Sequence, residues 1–472
     1  MKKNLISAKI WVAPTLICLF FLLITCGAAA VSGVENSGGR VLTGLFVTLA
    51  ESNALVAHLL AGISLFAAFL GMLLLAQGRS KKTVWLASVL ALAVPVSVYS
   101  QTYGSLNGAL TVAPAAALSL FYMVLLEKVL ASKHQKARYA LPLFLVGLAA
   151  AFFHEALALG LCLLSVGMTV KYWKRGSWIL LMHSLAACGG CAVSLLFSMD
   201  ASLFAATELL YRAERVVDGV LVENWAILLL LTGACLLLIQ PLRSDRSKRC
   251  NQVLQELLVP VAFFALCPYL KTVPLFGAAM KLLFAAVYVR GLRMTVKIYV
   301  SRDHRRHQTY RLLAAVAAMA LPCLFVAEPN DGLLYLPCLL LAAVTLLLWN
   351  YALQRYEKLA HACHKLLPAI GVIALCCCVW IGACNSMTDE VRREYIRQQE
   401  TAGATEIVLP EYPFAAYRGE DPARVTPLAV TYCPWEDWDW SAYYASRASA
   451  DSEEPIEEEK IPNFNAFKEE EE

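Results

Sequence analysis

Charge is scarce in this chain. Asp, Glu, Lys and Arg make up 16% of its 472 residues, against 59% hydrophobic, whereas a soluble domain carries about a quarter charged residues. That scarcity excludes a soluble globule. The sequence also has no phosphate-binding Walker loop, no Cys/His set at zinc spacing and no glycine-rich dinucleotide turn, and it carries no internal repeat at a solenoid period. The basic residues fall in short clusters between apolar runs and form no continuous face, so nucleic acid is excluded as a partner. The net charge of +4 is small because the signs are segregated along the chain. A disulfide framework is missing too, although there are 16 cysteines. Cys18, Cys26, Cys162, Cys188, Cys191 and Cys235 lie inside apolar runs, where a thiol behaves as a small hydrophobe. Cys376, Cys377 and Cys378 are consecutive and diverge around a helix axis, so they do not point at one metal.

What the chain has instead is long apolar runs, spread almost evenly to residue 385. A span needs about 20 apolar residues. Candidates lie at about 10–31, 54–77, 84–99, 109–130, 139–153, 156–170, 177–198, 225–241, 254–268, 275–296, 311–327, 333–352 and 366–385. The expectation is thirteen transmembrane helices in an all-α polytopic protein. The first run, Ile10 to Val31, exceeds the apolar stretch of a signal peptide and reads as an uncleaved span. The pair of runs around His154-Glu155 could equally be one kinked or re-entrant element.

Loop charge supports the count, because Lys and Arg accumulate on the cytoplasmic side. Basic loops (Lys2/Lys3/Lys9, Arg79/Lys81/Lys82, Lys133/Lys136/Arg138, Lys171/Lys174/Arg175, Arg243 to Arg249, Arg302/Arg305/Arg306, Arg355/Lys358/Lys365) alternate with loops poor in Lys and Arg. The N-terminus is therefore expected inside and the C-terminus outside, in the cell inner (cytoplasmic) membrane, with the lipid bilayer as the main partner. Residues 1–385 form the membrane domain and 386–450 an extracytoplasmic tail. The end, 451–472, is acidic and of disordered composition. Within the loop 199–224, Leu203, Leu210 and Val217 are seven apart and Glu208/Arg212 are i,i+4, which predicts an amphipathic helix. The tail reads as a charged helix (Asp389 to Gln399), two strand-like pieces (406–410 and 424–432) and an aromatic block from Trp435 to Tyr444.

Ionisable groups at membrane depth are costly and are functional candidates by default. His154-Glu155 is the sharpest case. A carboxylate beside an imidazole can exchange a proton, bind a cation, or grip a sugar hydroxyl or a phosphate-linked metal. The bland alternative is a polar pair marking a helix turn. The loop Gln101-Thr-Tyr103-Gly-Ser105-Leu-Asn107-Gly108 suits carbohydrate stacking and equally an interfacial turn with a belt tyrosine. In the first outer loop, Glu35 could act as a base and Arg40, after Gly38-Gly39, could meet a phosphate. A solvated turn fits both as well. Lys271 is a further polar group in an outer loop.

Four features stand in order: Gly39-Arg40-Val-Leu, then Tyr103-Gly-Ser105-Leu-Asn107 with Pro114, then His154-Glu155, then Trp438-Asp-Trp440-Ser-Ala-Tyr443-Tyr444. Together they resemble a bacterial domain-of-unknown-function family of polytopic proteins grouped with the GT-C glycosyltransferases, which include serotype-converting glucosyltransferases of phage origin. The resemblance implies a GT-C-like fold. It implies sugar transfer from a polyprenyl-phosphate donor to a cell-surface glycan acceptor on the outer face. Glu35, His154 and Glu155 would be catalytic. Arg40, Tyr103, Ser105, Asn107, Lys271, Trp438, Trp440 and Tyr443 would bind substrate. It assigns no metal-ligand set, and a divalent cation at the donor phosphate is the one cofactor it admits. The chain departs from the family pattern in two places. The acidic pair expected well before Gly-Arg is absent, leaving Glu35, and Asn107 is followed by Gly108 where a tyrosine is usual. A degenerate, non-catalytic relative is therefore also implied. From other classes, a transporter or lipid-linked glycan flippase and a non-catalytic scaffold of envelope assembly stand as alternatives.

Overall fold

The computed structural model describes residues 12–26, 41–78, 80–131, 137–198, 206–239, 248–269, 274–300, 303–325, 331–419, 428–441 and 443–444. Fifteen α-helices run through them. They are α1 (Val12–Cys26), α2 (Val41–Ser52), α3 (Ala54–Leu75), α4 (Lys81–Leu92), α5 (Val96–Thr102), α6 (Leu106–Ala131), α7 (Ala140–Ala151), α8 (Glu155–Ser198), α9 (Ala206–Val217), α10 (Trp225–Ile239), α11 (Lys248–Leu266), α12 (Pro274–Tyr299), α13 (Asp303–Ala320), α14 (Tyr335–Leu353) and α15 (Glu357–Thr401). Among the described residues seven helices are long and apolar enough to cross a membrane, or up to nine if each of two sharply bent pairs is one span. This is the architecture of an all-α membrane protein. The thirteen runs read from the sequence do not all reach that length, since α1, α7 and the Trp178–Val193 stretch are shorter. Helix α13 opens on Asp303-His-Arg-Arg-His, which leaves it too little apolar length.

The chain divides into two compact units, Met1–Ser386 with Phe414–Asp421, and Met387–Pro413 with Pro422–Glu472. In the first unit α14 is the centre. Its apolar window is 94% buried, and Leu336, Leu339, Leu340, Ala342, Ala343 and Leu346 are fully enclosed. A helix apolar all round has no solvent stripe to present, so it belongs inside. The apolar window of α15 is only 11% buried, with Leu366, Ile373 and Trp380 exposed, as suits a helix facing lipid.

Local chemistry sets several breaks. Asn53 caps α3 by accepting from the Leu55 N–H at 2.9 Å, and Ser80 caps α4 by accepting from the Thr83 N–H at 3.3 Å, each satisfying an otherwise orphaned donor. Pro95 disfavours helical backbone at Val94, and there α4 and α5 bend by 92°. A second bend, of 64°, separates α9 and its π-helical extension Asp218–Val222 from α10.

Helix α8 holds a less obvious feature. Its 44 residues would extend about 66 Å if straight. Yet Cys162 Sγ lies 3.1 Å from Cys188 Sγ, Thr169 Oγ1 donates to Leu180 O at 3.0 Å, and Ser184 Oγ donates to Ser165 O at 3.0 Å. Those contacts require the element to double back as a hairpin about Lys174, with two antiparallel arms. The sequence runs 156–170 and 177–198 correspond to these arms. Mild oxidation of the purified protein should therefore couple Cys162 to Cys188, seen by mass spectrometry as a cross-linked peptide pair. Unlinked peptides under conditions that oxidise an exposed thiol pair would contradict the hairpin.

Contacts between helices sort the junctions into two ends. Helices α8 and α13 are antiparallel, since Arg311 Nη1 donates to Tyr172 Oη at 3.4 Å while Gly160 packs on Met319. His154 and Leu324 accordingly lie at one end. Arg212 donates to Leu324 O at 3.4 Å, Arg215 Nε to Asp331 Oδ1 at 2.8 Å and Ser97 Oγ to Glu223 Oε2 at 3.1 Å, so α5, α9 and the turn at Asp331 join the same end. At the opposite end Gln308 donates to Leu75 O at 2.7 Å, Gln77 donates to Gln308 Oε1 at 2.9 Å, and Arg311 clamps both carboxylate oxygens of Glu127. Among the described Lys- and Arg-rich junctions, Lys81/Lys82, Lys171/Lys174 and Arg305/Arg306 belong to this second end, and Arg355/Lys358 follows Gln354, to which Arg305 donates at 3.3 Å.

In the second unit the final turns of α15 carry a two-stranded parallel sheet, β1 (Glu406–Pro410) against β2 (Ala429–Cys433), with Ile407 opposite Val430. The separate charged helix expected at 389–399 is the uninterrupted continuation of α15. Ile396, Ile407 and Leu409 form the apolar centre. Arg392 is fully buried, its guanidinium 4.1 Å from the Tyr412 ring centroid and 5.0 Å from that of Tyr432. Such cation–π contacts strengthen where water is excluded.

Candidate functional site

The pair His154-Glu155 occupies the break between α7 and α8. The chain leaves α7 at Ala151, turns through Phe152-Phe153 and re-enters helix at Glu155. His154 is buried, and its Nδ1 accepts from the Ala156 N–H at 3.3 Å. With its Nδ1 lone pair used as an acceptor, the neutral ring carries its proton on Nε2. Glu155 Oε2 stands 3.6 Å from Nδ1, too far for a hydrogen bond but close enough for an ion pair if the ring gains a proton. The side chains are 5% and 11% exposed. Glu155 opens the first turn of α8.

The first turn of α2 docks on this break. Thr43 Oγ1 donates to Phe153 O at 2.6 Å and the Leu42 N–H to Phe152 O at 3.4 Å, while Phe46 meets Phe153 edge-on at 5.1 Å. Helix α2 begins directly after the first loop of the sequence. Glu35 and Arg40 of that loop, and Lys271, lie outside the described residues.

Tyr103 and Ser105 are placed differently from the expectation. Tyr103 is buried in the core of the first unit. Its hydroxyl donates to Ala91 O at 2.9 Å and shares a hydrogen bond with Tyr335 Oη at 3.0 Å, and its ring packs on Phe21, Tyr99 and Tyr335. A ring enclosed on its faces has none open for a sugar. Ser105, also buried, caps α6 by accepting from the Gly108 N–H at 3.2 Å. The glycines of this turn serve close packing. A Cβ at Gly104 would stand 2.0 Å from Tyr417 O, and one at Gly108 1.7 Å from Gln101 O. Asn107 is half-buried at the start of α6.

Trp438, Trp440 and Tyr443 lie in the second unit and pack on one another. Trp438 meets Tyr395 edge-on at 5.5 Å and Trp440 at 4.7 Å, and Tyr443 donates to Glu394 Oε2 at 2.9 Å. Trp438 and Tyr443 are buried; they form the aromatic core of that unit.

A second polar cluster, missed in the sequence, shares the His154 end of the first unit. Lys281 Nζ bridges Glu214 Oε1 at 2.7 Å and Asp218 Oδ2 at 2.8 Å. Beside them a cavity of about 170 Å³ is lined by Ser97, Glu214, Arg215, Asp218, Glu223 and Asp331 among others. Four carboxylates and two cations leave this cluster net acidic, a lining suited to hydroxyl-rich or cationic ligands. The signal was present. Lys281 stands inside the apolar run 275–296, and Glu214 and Asp218 are four apart on one helix face.

Compared with protein families, with curated proteins and with solved structures, the chain matches none. The site therefore rests on its own geometry. Among the described residues no group of three or more His, Cys, Asp or Glu side chains is placed to hold a metal ion. His154 and Glu155 are two residues, fewer than such a group needs.

Proposed function

We propose that this chain is a GT-C-like membrane glycosyltransferase, or a close relative of one, that moves a sugar from a polyprenyl-phosphate donor to a cell-surface glycan at the outer face of the inner membrane. The observation that carries the reading is the enclosed His154-Glu155 pair at a helix break, with α2 docked on it. Ionisable groups at membrane depth are functional candidates by default. In the proposed reaction Glu155 removes the proton of the acceptor hydroxyl as that oxygen attacks the anomeric carbon, and the polyprenyl phosphate leaves with the electron pair of the broken C–O bond. His154, with Nε2 protonated, is suited to donate a hydrogen bond to a phosphate oxygen. The acidic cavity by Lys281 is suited to hold sugar hydroxyls.

The proposed topology has thirteen spans. Seven long helices, two bent pairs, and the shorter α1, α7, second arm of α8 and α13 make up that number, with α2 not crossing. The gathering of Lys- and Arg-rich junctions at one end of the first unit supports placing that end in the cytoplasm. Reporter fusions after Lys82 and Glu208 should then read cytoplasmic and external. The same reading at both positions would overturn the topology.

One observation favours a transporter as second reading. The two sharply bent helix pairs meet where Ser97 bonds Glu223, and broken helices facing a polar cavity are a transport arrangement. Supplying the protein in liposomes with a labelled lipid-linked sugar separates the two readings. A transferase moves the label off the lipid, and a flippase moves the intact lipid.

A further inference from the structure

At the end opposite His154, the first unit holds a cavity of about 680 Å³. It lies between α6, the first arm of α8 and α13, and shares Ala131 and His304 with a neighbouring cavity of about 320 Å³. The larger cavity is lined by Lys171 and Lys174 from α8 and by His304, His307 and Arg311 from α13, with no acid in its lining. Each helix contributes a pair at i,i+3, which sets both side chains on one face. The acid that lines the neighbouring cavity is Glu127, beside Lys128, and both Glu127 oxygens are already taken by Arg311. Among the described residues no carboxylate pairs with Lys171 or Lys174. Arg311 is itself occupied by Glu127 and Tyr172, so it braces the wall and leaves the two lysines and two histidines to meet a ligand.

The rest of the lining is apolar. Val170 is 75% exposed and Trp173 49%, next to Leu130, at the point where the apolar arm Glu155–Lys174 ends. A tryptophan beside lysines at the end of a span is the pattern of a membrane–water interface, and exposed apolar side chains there suit acyl chains. The volume matches that of cavities that enclose whole small ligands. We propose that this cavity binds the phosphodiester headgroup of an anionic phospholipid of the cytoplasmic leaflet, with Lys171, Lys174, His304 and His307 around the phosphate and Val170 and Trp173 along the acyl chains. Basic pockets between transmembrane helices recognise such headgroups. The inference depends on the bundle lying in a membrane with this end in the cytoplasm, and is independent of the transferase chemistry.

The test uses the full-length protein in detergent, with bound lipid counted by native mass spectrometry during titration with cardiolipin, phosphatidylglycerol or zwitterionic phosphatidylcholine. An anionic lipid should be retained at least tenfold better than phosphatidylcholine. The double variant Lys171→Gln/Lys174→Gln should lose about 30-fold in that affinity, at about 1 kcal/mol for each charge removed, while Lys358→Gln, in a different basic junction, changes nothing. Because both lysines are exposed, the double variant should elute as the wild type does. Raising the salt in the wild-type titration gives the same information without a variant, since the preference for anionic lipid should fall steeply. Equal retention of charged and zwitterionic lipid, or an unchanged double variant, would overturn the proposal. So would inorganic phosphate displacing the lipid at equal concentration, which would make the cavity a site for free phosphate.

Discussion

Glu155→Gln should lower sugar transfer by about 10² to 10⁴-fold while leaving the amount of inserted protein unchanged. Glutamine keeps the shape of the side chain and one acceptor oxygen but replaces the other with an NH2 donor and removes the charge and the ability to take a proton. The carboxylate stands in the first turn of α8, 11% exposed, where few waters can replace it as base. His154→Ala should cost less, roughly one to two orders of magnitude, because a hydrogen-bond donor to the leaving phosphate is lost and the base remains. Glu208→Gln serves as a control. Glu208 is half exposed, on α9 and away from the His154-Glu155 pair, and is held by Arg212. Rates from the purified variants check all three, and equal rates for wild type and Glu155→Gln would make the pair structural.

Glu127→Ala should destabilise the first unit by about 3 kcal/mol. Arg311 lies on the wall between two cavities and is 8% exposed, against 16% for Glu127, and its guanidinium meets both oxygens of that carboxylate. Removing the acid leaves a largely buried cation whose remaining hydrogen bond among the described residues is to Tyr172. That cost exceeds what the pair contributes in place, because the desolvation penalty of the arginine stays. The double change Glu127→Leu/Arg311→Met removes the penalty along with the pair and should recover most of the loss. The temperature at which half of the monodisperse protein survives heating reads both effects. A single variant as stable as the wild type would mean that water entering the cavity already solvates Arg311.

Much of this architecture is legible in the sequence because apolar length and loop charge are local properties. The run ending at Phe153 and the polar pair after it mark the break between α7 and α8 without reference to any distant residue. The strand-like piece 406–410 is likewise visible in its composition and becomes β1. Other features depend on partners far along the chain. Tyr103 reads as a belt tyrosine until Tyr335, more than two hundred residues away, is found bonded to its hydroxyl. Trp438 and Tyr443 read as sugar platforms until Tyr395 and Glu394 of α15 are found beneath them. Lys281 escapes notice because its two carboxylates come from another helix, although a lone cation in an apolar run calls for such partners. The hairpin in α8 carries no proline at its turn, so the break shows in Lys171, Lys174 and Arg175 and in Gly176 directly after them, a residue common just past a helix end.

Transfer itself is the most direct test. Wild-type protein and Glu155→Gln are placed separately in sealed liposomes with radiolabelled polyprenyl-phosphate-linked sugars and a glycan acceptor, and label on lipid and on acceptor is followed in time. The account predicts that label leaves the lipid and appears on the acceptor with wild-type protein, and that the variant leaves it on the lipid. Label that crosses the bilayer still attached to its lipid, in both proteins alike, would contradict it.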